Sequence, residues 1–294
     1  MKLLKLFFCF NLCLAAFGQQ VADRELMIAV EAPTYPLTKG PVVGIDHGHH
    51  NFHTLEERFS AFGKLISADG YQAVSIQEFS KEELAKIKVL VIANPIHADN
   101  EEGWKRPIYS AFTEEEIKHV ISWVREGGSL LLIADHMPFG GAASKLAEPF
   151  GVQYEDGFVM KDELTWPPET YSKAKGTLKK SPVTVGIDSL VAFTGSALKL
   201  PHDAIPIATY QEDQKFHYPA VEAWEFDEET TVTSTEEMAF GGLVEYGKGR
   251  AAFFTEAAMF TAQISKGSRK MGFNHPHATQ NQQFILNVMS WLTE

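Results

Sequence analysis

Cysteine is almost missing from this chain of 294 residues, and the two that it has, Cys9 and Cys13, fall within residues 1–18. That segment contains two lysines, an apolar stretch and a small-residue end before Gln19, which is typical of a secretory signal peptide. We therefore expect cleavage before Gln19 and a periplasmic or secreted mature chain without a thiol. Such a chain has no disulfide, no cysteine-ligated zinc and no cysteine nucleophile.

Long hydrophobic runs are also missing beyond the predicted signal peptide. A helix that crosses a membrane needs about 20 consecutive, mostly apolar residues. No later stretch of the sequence is that long and that apolar. We therefore expect no membrane insertion once the signal peptide has been removed.

Positive charge is scarce. The chain has 26 Lys and Arg against 38 Asp and Glu, a net charge of −12 that becomes −14 when two lysines leave with the signal peptide. Such a surface repels nucleic acids unless a basic patch intervenes, and the sequence has none. It also lacks the signature of a nucleotide cofactor site. We therefore predict a small-molecule or glycan ligand and no nucleic acid partner.

Apolar runs alternate with amphipathic stretches through the first half of the mature chain. The runs 42–45, 89–93 and 130–134 predict buried strands, and apolar residues recur at helical spacing across 54–68 and 113–125. This alternation favours right-handed βαβ units, a parallel sheet and helices on both of its faces. We therefore predict an α/β fold with three layers, of the flavodoxin-like kind.

Shorter signals complete this outline. Ser80 with Glu83, and Thr113 with Glu116, have the spacing of a capping box at the start of a helix. The turn at 246–249 lies between two apolar runs, which predicts a hairpin. The remaining predicted elements are an extended stretch at 71–76 and helices at 80–87, 142–150 and about 279–292.

Prolines interrupt the pattern in the second half of the chain. From about residue 156 to 237 they separate short β-like runs, which indicates an irregular, β-rich insertion. Regular alternation returns from about residue 238. We therefore expect one domain over 19–294, with its core at about 40–155 and 238–294.

Polar residues cluster directly after the predicted strands. Ligands of open α/β sheets bind at the carboxyl ends of the strands, so these residues are the candidates for a site. Most of them are Asp, His or Glu, which act as general acids, bases or metal ligands. They are Asp46, His47, His49, His50, Asn51 and His53 after the first strand, Asn94 and His97 after the third, Asp135 and His136 after the fourth, and Glu256 after the hairpin.

The turn after the first strand holds four histidines within residues 47–53. One interpretation is that at least one of them is a ligand or proton shuttle; the other is a structural network that satisfies buried carbonyls. Gly48 would permit a tight backbone turn. His53 would lie at the entry of the following helix and point toward anything bound there.

Two further positions could carry chemistry. The stretch 133–142 has the strand, turn and helix of a nucleophile elbow, with Asp135 and His136 where a hydrolase has Ser or Cys; it can equally be a simple turn. Glu256 interrupts an apolar run, and a buried carboxylate needs a partner. It is either a base opposite the histidine turn or the partner of an arginine or a helix terminus.

A divalent metal ion is an open alternative. Binding one would require two or three imidazoles and a carboxylate that converge on a single point. Neither a His-Glu-x-x-His motif nor an EF-hand loop is present, so this interpretation depends on clustering alone. The candidate ligands are His49, His53, Asp135 and His136.

Three stretches carry a resemblance to a known family: 44–54, from Gly127-Gly128 to Asp135-His136, and 256–263. On these the chain resembles a bacterial family of exported proteins of unknown function with a class I glutamine-amidotransferase-like, flavodoxin-like domain. The strand order and histidine-rich first turn are more distantly similar to trehalose-utilisation proteins. The resemblance implies the fold and a link to sugars. Because Asp135-His136 stands where an amidotransferase has its cysteine, it does not imply glutaminase activity.

The sequence therefore leads to two hypotheses. The first is an exported enzyme of hydrolase or isomerase type that acts on a small polar or saccharide-like substrate by acid-base or metal-assisted chemistry. The second is a non-catalytic module that binds a glycan, peptide or partner protein at the same edge of the sheet. In the first, the catalytic residues are His49, His50, His53, Asp135, His136 and Glu256, and the substrate-binding residues are Asp46, His47, Asn51, Asn94 and His97.

Overall fold

The computed structural model describes residues 20–161, 168–265 and 268–294. The predicted signal peptide lies outside the described residues, so export of the chain stays a prediction. Within the described ranges, no helix has the length and apolar character to cross a membrane.

The chain alternates short helices and strands. The helices are α1 (Ser60–Ala68), α2 (Lys81–Leu84), α3 (Ala98–Glu101), α4 (Glu114–Arg125), α5 (Phe139–Ala147) and α6 (Asn281–Thr293), with 3-10 turns at Glu148–Phe150, Pro182–Thr184 and Ala258–Phe260. The strands are β1 (Val21–Ala22), β2 (Val42–Asp46), β3 (Gln72–Ile76), β4 (Val89–Ala93), β5 (Ser129–Ile133), β6 (Gln153–Glu155), β7 (Phe158–Lys161), β8 (Glu169–Ser172), β9 (Ser189–Ala192), β10 (Ala197–Lys199), β11 (Ile205–Thr209), β12 (Gln214–Tyr218), β13 (Thr231–Ser234), β14 (Ala239–Tyr246), β15 (Gly249–Phe254), β16 (Ala262–Ser265) and β17 (Arg269–Gly272).

Nine strands form the main sheet. Five are parallel in the spatial order β3-β2-β4-β5-β15, which numbered along the chain is the 2-1-3-4-5 order of flavodoxin-like sheets. The strands β14, β10, β6 and β11 continue the sheet antiparallel. The sheet is therefore mixed, whereas a parallel one was expected, because the two-residue turn between β14 and β15 reverses the chain.

Alternate side chains of the central strands enter two separate cores. Val89 and Val91 of β4 belong to the buried cluster that includes residues of α1 and α6. Leu90 and Ile92 belong to the cluster that includes residues of α4 and α5. Helices thus cover both faces of the sheet, which explains why β4 and β5 are apolar without alternation.

Helix starts follow local chemistry. The capping box of Thr113 and Glu116 is complete at α4, and Ser80 caps α2 by accepting the N–H of Glu83. The prediction that a helix begins at Thr54 was wrong, because α1 begins only at Ser60. The N–H of Phe59 donates to the carbonyl of Thr54, an i to i+5 bond that makes residues 55–59 an irregular turn. His53 therefore does not lie at a helix start.

The elbow after β5 also differs from its prediction. Helix α5 begins at Phe139 and so includes the glycines that were expected in the turn. Both glycines lie close to the connection between β6 and β7: the N–H of Gly141 donates to Asp156, and a Cβ on Gly140 would lie 3.2 Å from the carbonyl oxygen of Glu155. Close packing against that connection accounts for the glycine pair.

The segment 156–237 has three roles in the fold. Two of its strands, β10 and β11, extend the main sheet. Strands β7, β12 and β13 form a separate three-stranded sheet, and β8 pairs with β9. The segment is β-rich and partly continuous with the core sheet; the division into domains stays a prediction.

Candidate functional site

A cavity of about 220 Å³ lies at the carboxyl ends of the central parallel strands. Its polar wall includes residues that directly follow β4 and β5, together with the end of the turn after β2. Four of the eleven predicted site residues line it: His53, Asn94, Asp135 and His136.

Asn94 connects three strand ends. Its side-chain oxygen accepts the N–H of Asp135 at 2.9 Å, so its amide nitrogen faces His53 Nδ1 at 3.2 Å. Its backbone carbonyl accepts the N–H of Phe52. Its backbone is left-handed, with φ of 50°, a conformation in which Asn is enriched among non-glycine residues.

This arrangement fixes the tautomer of His53. Because Nδ1 accepts from Asn94, the proton of the neutral ring is on Nε2. That atom is buried and has no hydrogen-bond partner among the described residues. Burial first, then the charge of Arg58 and that of the His136 ring when it is protonated, lower the pKa of His53 to about 3. His53 is therefore a neutral hydrogen-bond donor in the wall of the cavity at physiological pH.

Asp135 and His136 lie side by side in the same wall. One oxygen of Asp135 accepts the N–H of His136 at 2.9 Å and faces the hydroxyl of Thr194 at 3.4 Å. The Nδ1 of His136 is 2.7 Å from the carbonyl of Met137 and so donates to it, which leaves the lone pair on Nε2. The ring stacks on Phe158 with 4.7 Å between centroids. The pair thus offers a carboxyl group and, on the neutral ring, an imidazole nitrogen that can accept a proton.

Glu256 lies behind this wall and is fully buried. One of its oxygens accepts the N–H of Met259 at 2.8 Å, and the other has no hydrogen-bond partner among the described residues. Burial, and next the negative charge of Asp135, raise the pKa of Glu256 well above its ordinary value. Burial therefore favours the uncharged form of Glu256, whose carboxyl caps the 3-10 turn at Ala258–Phe260. Glu256 is not among the residues that line the cavity, and its predicted role as a base stays a prediction.

His49 belongs to a second network, in which both ring nitrogens contact carboxylates. Its Nδ1 is 2.9 Å from Asp46, and its Nε2 is 3.1 Å from Glu116. Burial lowers the pKa of His49, but the hydrogen bonds and charges of the two carboxylates outweigh burial and raise it. Asp46 also accepts from Gly48 and Asn51. The predicted roles of His49, Asp46 and Asn51 at the cavity thus have no support from their positions.

The remaining predicted residues point away from the cavity. His47 contacts Glu56 at 3.1 Å and His50 contacts Glu101 at 2.9 Å, and both side chains are exposed. His97 caps α3 by accepting the N–H of Asp99. The histidine turn therefore contributes one histidine, His53, to the cavity, and its other members stabilise the turn or face solvent.

The candidate metal ligands are divided between these two networks. His49 is held between carboxylates, while His53, Asp135 and His136 line the cavity. Within the residues that the structure describes, no three His, Asp or Glu side chains are arranged to hold one metal ion. The donor set therefore does not fit a metal centre.

Sequence reasoning missed much of the cavity. Its aromatic wall consists of Phe52, Trp104, Phe139 and Trp224, and it comes from four separate segments of the chain. Gln263 of β16 is fully buried and also lines the cavity. Its position in an apolar run was the one signal that could have identified it.

The orientation of Gln263 follows from its neighbours. Thr261 donates its hydroxyl to the carbonyl of Ala258, so that hydroxyl acts as acceptor for the amide nitrogen of Gln263 at 2.8 Å. The side-chain oxygen of Gln263 is then left buried without a hydrogen-bond partner among the described residues. The cavity wall thus has an unpartnered acceptor here in addition to the unpartnered donor on His53.

Comparisons with solved structures support this type of fold. The chain is similar to the N-terminal domain of mmIFT52, with 14% identity and a TM-score of 0.58 over 86% of this chain and 97% of that one. It is similar to a cytoplasmic protein of Salmonella typhimurium, with 15% identity and a TM-score of 0.51 over 86% and 98%. A putative ThuA-like protein from Bacteroides uniformis has 13% identity and a TM-score of 0.46 over 90% and 94%.

The first two likenesses concern the fold alone, because their identities are low, and no conclusion is drawn from the third, whose TM-score is below 0.5. No protein-family model matches the chain, and no curated protein matches it. Membership of the exported amidotransferase-like family stays a prediction.

Proposed function

We propose that this chain is an exported enzyme of the three-layer, amidotransferase-like kind that acts on a small polar, saccharide-like substrate by acid-base chemistry. The observation that carries the proposal is a buried, neutral histidine donor in the same cavity as a carboxyl group and an imidazole nitrogen that can accept a proton. His53 is the donor, and Asp135 and His136 supply the other two groups.

Each group has a distinct task. A neutral imidazole can donate its N–H to the oxygen of a substrate carbonyl and so polarise that carbonyl. His53 therefore suits the role of electrophile. Asp135 or the Nε2 of His136 can remove a proton from the adjacent carbon. Proton transfer next to a carbonyl is isomerase chemistry, and the same groups could activate water in a hydrolase.

The walls of the cavity support a saccharide-like substrate. Its volume, about 220 Å³, is below the about 300 to 1,000 Å³ of pockets for drug-sized ligands, which favours a molecule the size of a single sugar ring. Trp104 and Trp224 line the cavity and supply apolar surface for such a ring. The oxygen of Gln263 and the N–H of His53 can bind a hydroxyl and a carbonyl, respectively, and this would satisfy two buried polar atoms.

The donor geometry favours acid-base chemistry over the metal-assisted version. A catalytic metal would need at least three side-chain ligands around one point. His49 is the candidate ligand with both nitrogens already paired to carboxylates, so it cannot join the histidines of the cavity.

A second candidate function is a binding module for a glycan or peptide. The aromatic wall and the two unpartnered polar atoms would serve binding without any reaction. The position after β5 holds Asp135 where related architectures have a nucleophile, which is compatible with a domain that only binds.

Turnover in heavy water distinguishes the enzyme from the binding module. The purified mature chain is incubated in D₂O with a panel of aldoses and ketoses; tryptophan fluorescence reports binding, and NMR reports deuterium incorporation and products. We expect binding and exchange in the parent, binding without exchange in Asp135→Asn, and loss of both in His53→Phe. His47→Ala, outside the cavity, is the matched control.

Binding without exchange or any product by the parent protein would support the module instead. Loss of activity in His47→Ala to the same extent as in Asp135→Asn would mean that the cavity is not the site. Absence of binding by every saccharide in the panel would refute the saccharide enzyme and a module that binds these sugars.

A further inference from the structure

One wall of the cavity carries a cation that the proposed chemistry does not use. The guanidinium of Arg58 lies 4.0 Å from the ring centroid of Phe52 and lines the cavity with His53. Its Nε donates to the carbonyl of Gln20 and its Nη1 to the carbonyl of Phe52, both at 3.1 Å. These two neutral acceptors and the aromatic ring hold the group in one orientation.

The charge of Arg58 is weakly compensated. The carboxylate paired with it is that of Glu57, which is 3.8 Å away, longer than a hydrogen bond, and 68% exposed. Solvent-exposed ion pairs of this kind contribute little. The side chain of Arg58 is itself only 25% exposed. A partly buried cation therefore lines the same cavity as His53, whose N–H has no hydrogen-bond partner among the described residues.

From this juxtaposition we propose that the substrate carries a carboxylate, which binds to the guanidinium of Arg58 and accepts the N–H of His53. With the hydroxyl-binding Gln263 in the same cavity, the ligand class is a sugar acid. This inference depends on the proposed function and specifies its substrate. The carboxylate is then the carbonyl group that His53 polarises, and the C–H from which Asp135 or His136 removes a proton is the one adjacent to it.

Two features of the cavity determine which anion it can bind and at which end the anion lies. Arg58 is the single Lys or Arg among the described residues that line it, and one cation suits a singly charged carboxylate better than a doubly charged phosphate. Asp135 would repel an anion next to it. The carboxylate must therefore bind at the Arg58 end, with the uncharged part of the ligand toward Asp135.

Three ligands of similar shape test whether the cavity recognises the negative charge of a carboxylate. D-glucuronate, its neutral amide D-glucuronamide, and D-glucose are titrated into the full mature chain, with calorimetry as the readout. We expect glucuronate to bind at least about tenfold more tightly than either neutral ligand at low salt, the scale of one charge-assisted hydrogen bond. The preference should decrease with added salt.

Variants assign the effect to one residue. Arg58→Gln should reduce glucuronate affinity to that of glucuronamide and leave glucose affinity unchanged, while Arg58→Lys should keep part of the preference. Arg125→Gln is the matched control. It removes an arginine of α4 that contacts Tyr246 and does not line the cavity. Melting temperatures show whether each variant remains folded.

The outcomes separate the two proposals. Equal affinity for glucuronate and glucuronamide, or a preference that survives in folded Arg58→Gln, would overturn the sugar-acid inference and leave the saccharide function intact. Failure of all three ligands, together with the wider panel, would overturn both.

Discussion

His49 and His53 are both buried in one turn, yet their environments shift their pKa values in opposite directions. Burial lowers the pKa of both rings; at His49 the carboxylates of Asp46 and Glu116 outweigh it, whereas at His53 the charge of Arg58 adds to it. Residue type therefore says little about the role of either one. The first belongs to a structural network that favours its protonated form, and the second is a neutral donor suited to a ligand.

Stability should depend on pH through His53. Its pKa is about 3 when folded and near 6.5 when unfolded, so the unfolded state binds more protons between these values. The parent should therefore lose stability as pH falls below 6.5, by roughly 2 kcal/mol at pH 5, whereas His53→Gln should lack this component. Urea unfolding at pH 7.5 and 5 measures it, and identical pH dependence in both proteins would contradict the assignment.

Glu256 should cost stability at neutral pH. Its folded pKa is raised, so the unfolded state releases the proton near pH 4.5 while the folded state keeps it. Stability is then lost above pH 4.5, at about 1.4 kcal/mol per unit until the folded pKa is reached. We expect Glu256→Gln, which keeps an acceptor for the N–H of Met259, to be more stable than the parent at pH 7 in urea unfolding.

The gain should vanish near pH 3, well below 4.5, where both states of the parent hold the proton. A Glu256→Gln variant that is less stable at pH 7 would show that the carboxyl is ionised and paired in the folded protein.

At the scale of elements, His49 ties the turn after β2 to the first turn of α4. Its two nitrogens contact Asp46 at the end of the strand and Glu116 at the third position of the helix. Gly48 permits the turn for a reason other than the one expected: a Cβ there would lie 1.9 Å from the carbonyl oxygen of Gln77. The turn is therefore packed directly against the end of β3.

The charge of Glu116 should stabilise this connection. Glu116→Gln keeps the capping box, since glutamine also serves there, but removes one of the two charges that raise the pKa of His49. We expect a loss of roughly 1 kcal/mol at pH 6. Because a raised histidine pKa stabilises the fold below its unfolded value, the loss should fade as pH rises through the folded pKa of His49.

Glu115→Gln is the control, because it removes a neighbouring charge that is 83% exposed and 3.9 Å from His119. Chemical denaturation, with NMR titration of the His49 ring, reports both effects. Equal losses in the two variants would mean that the helix dipole, and not His49, is the partner of Glu116.

At the scale of the whole molecule, periodicity in the sequence predicts the central strands and the chemistry at their ends. It places Asn94, Asp135 and His136 at one edge of the sheet, where the structure has them. It could not predict the division of the histidine turn, because that depends on Glu116, 67 residues away from His49. Nor could it assemble Trp104 and Trp224 into one wall, since tertiary packing alone brings those loops together.

The same chain should lose its first eighteen residues on export. When it is expressed with residues 1–18 in a secreting bacterium, we expect a periplasmic or external product that begins at Gln19. Both cysteines would leave with the signal peptide, so the product should show no reaction with a thiol reagent under denaturing conditions. N-terminal sequencing checks the cleavage site, and a cytoplasmic product that retains Met1 would contradict the prediction.

The side-chain amide of Asn94 decides which ring nitrogen of His53 carries the proton. A single base substitution converts an Asn codon to an Asp codon, and an aspartate at this position would accept from His53 Nδ1, where the amide now donates. The imidazole proton would move to Nδ1, and the cavity would gain a lone pair where it had a donor. Nitrogen chemical shifts of the ring would record the exchange. One amide group that does not itself react thus decides whether His53 presents a donor or an acceptor to the cavity.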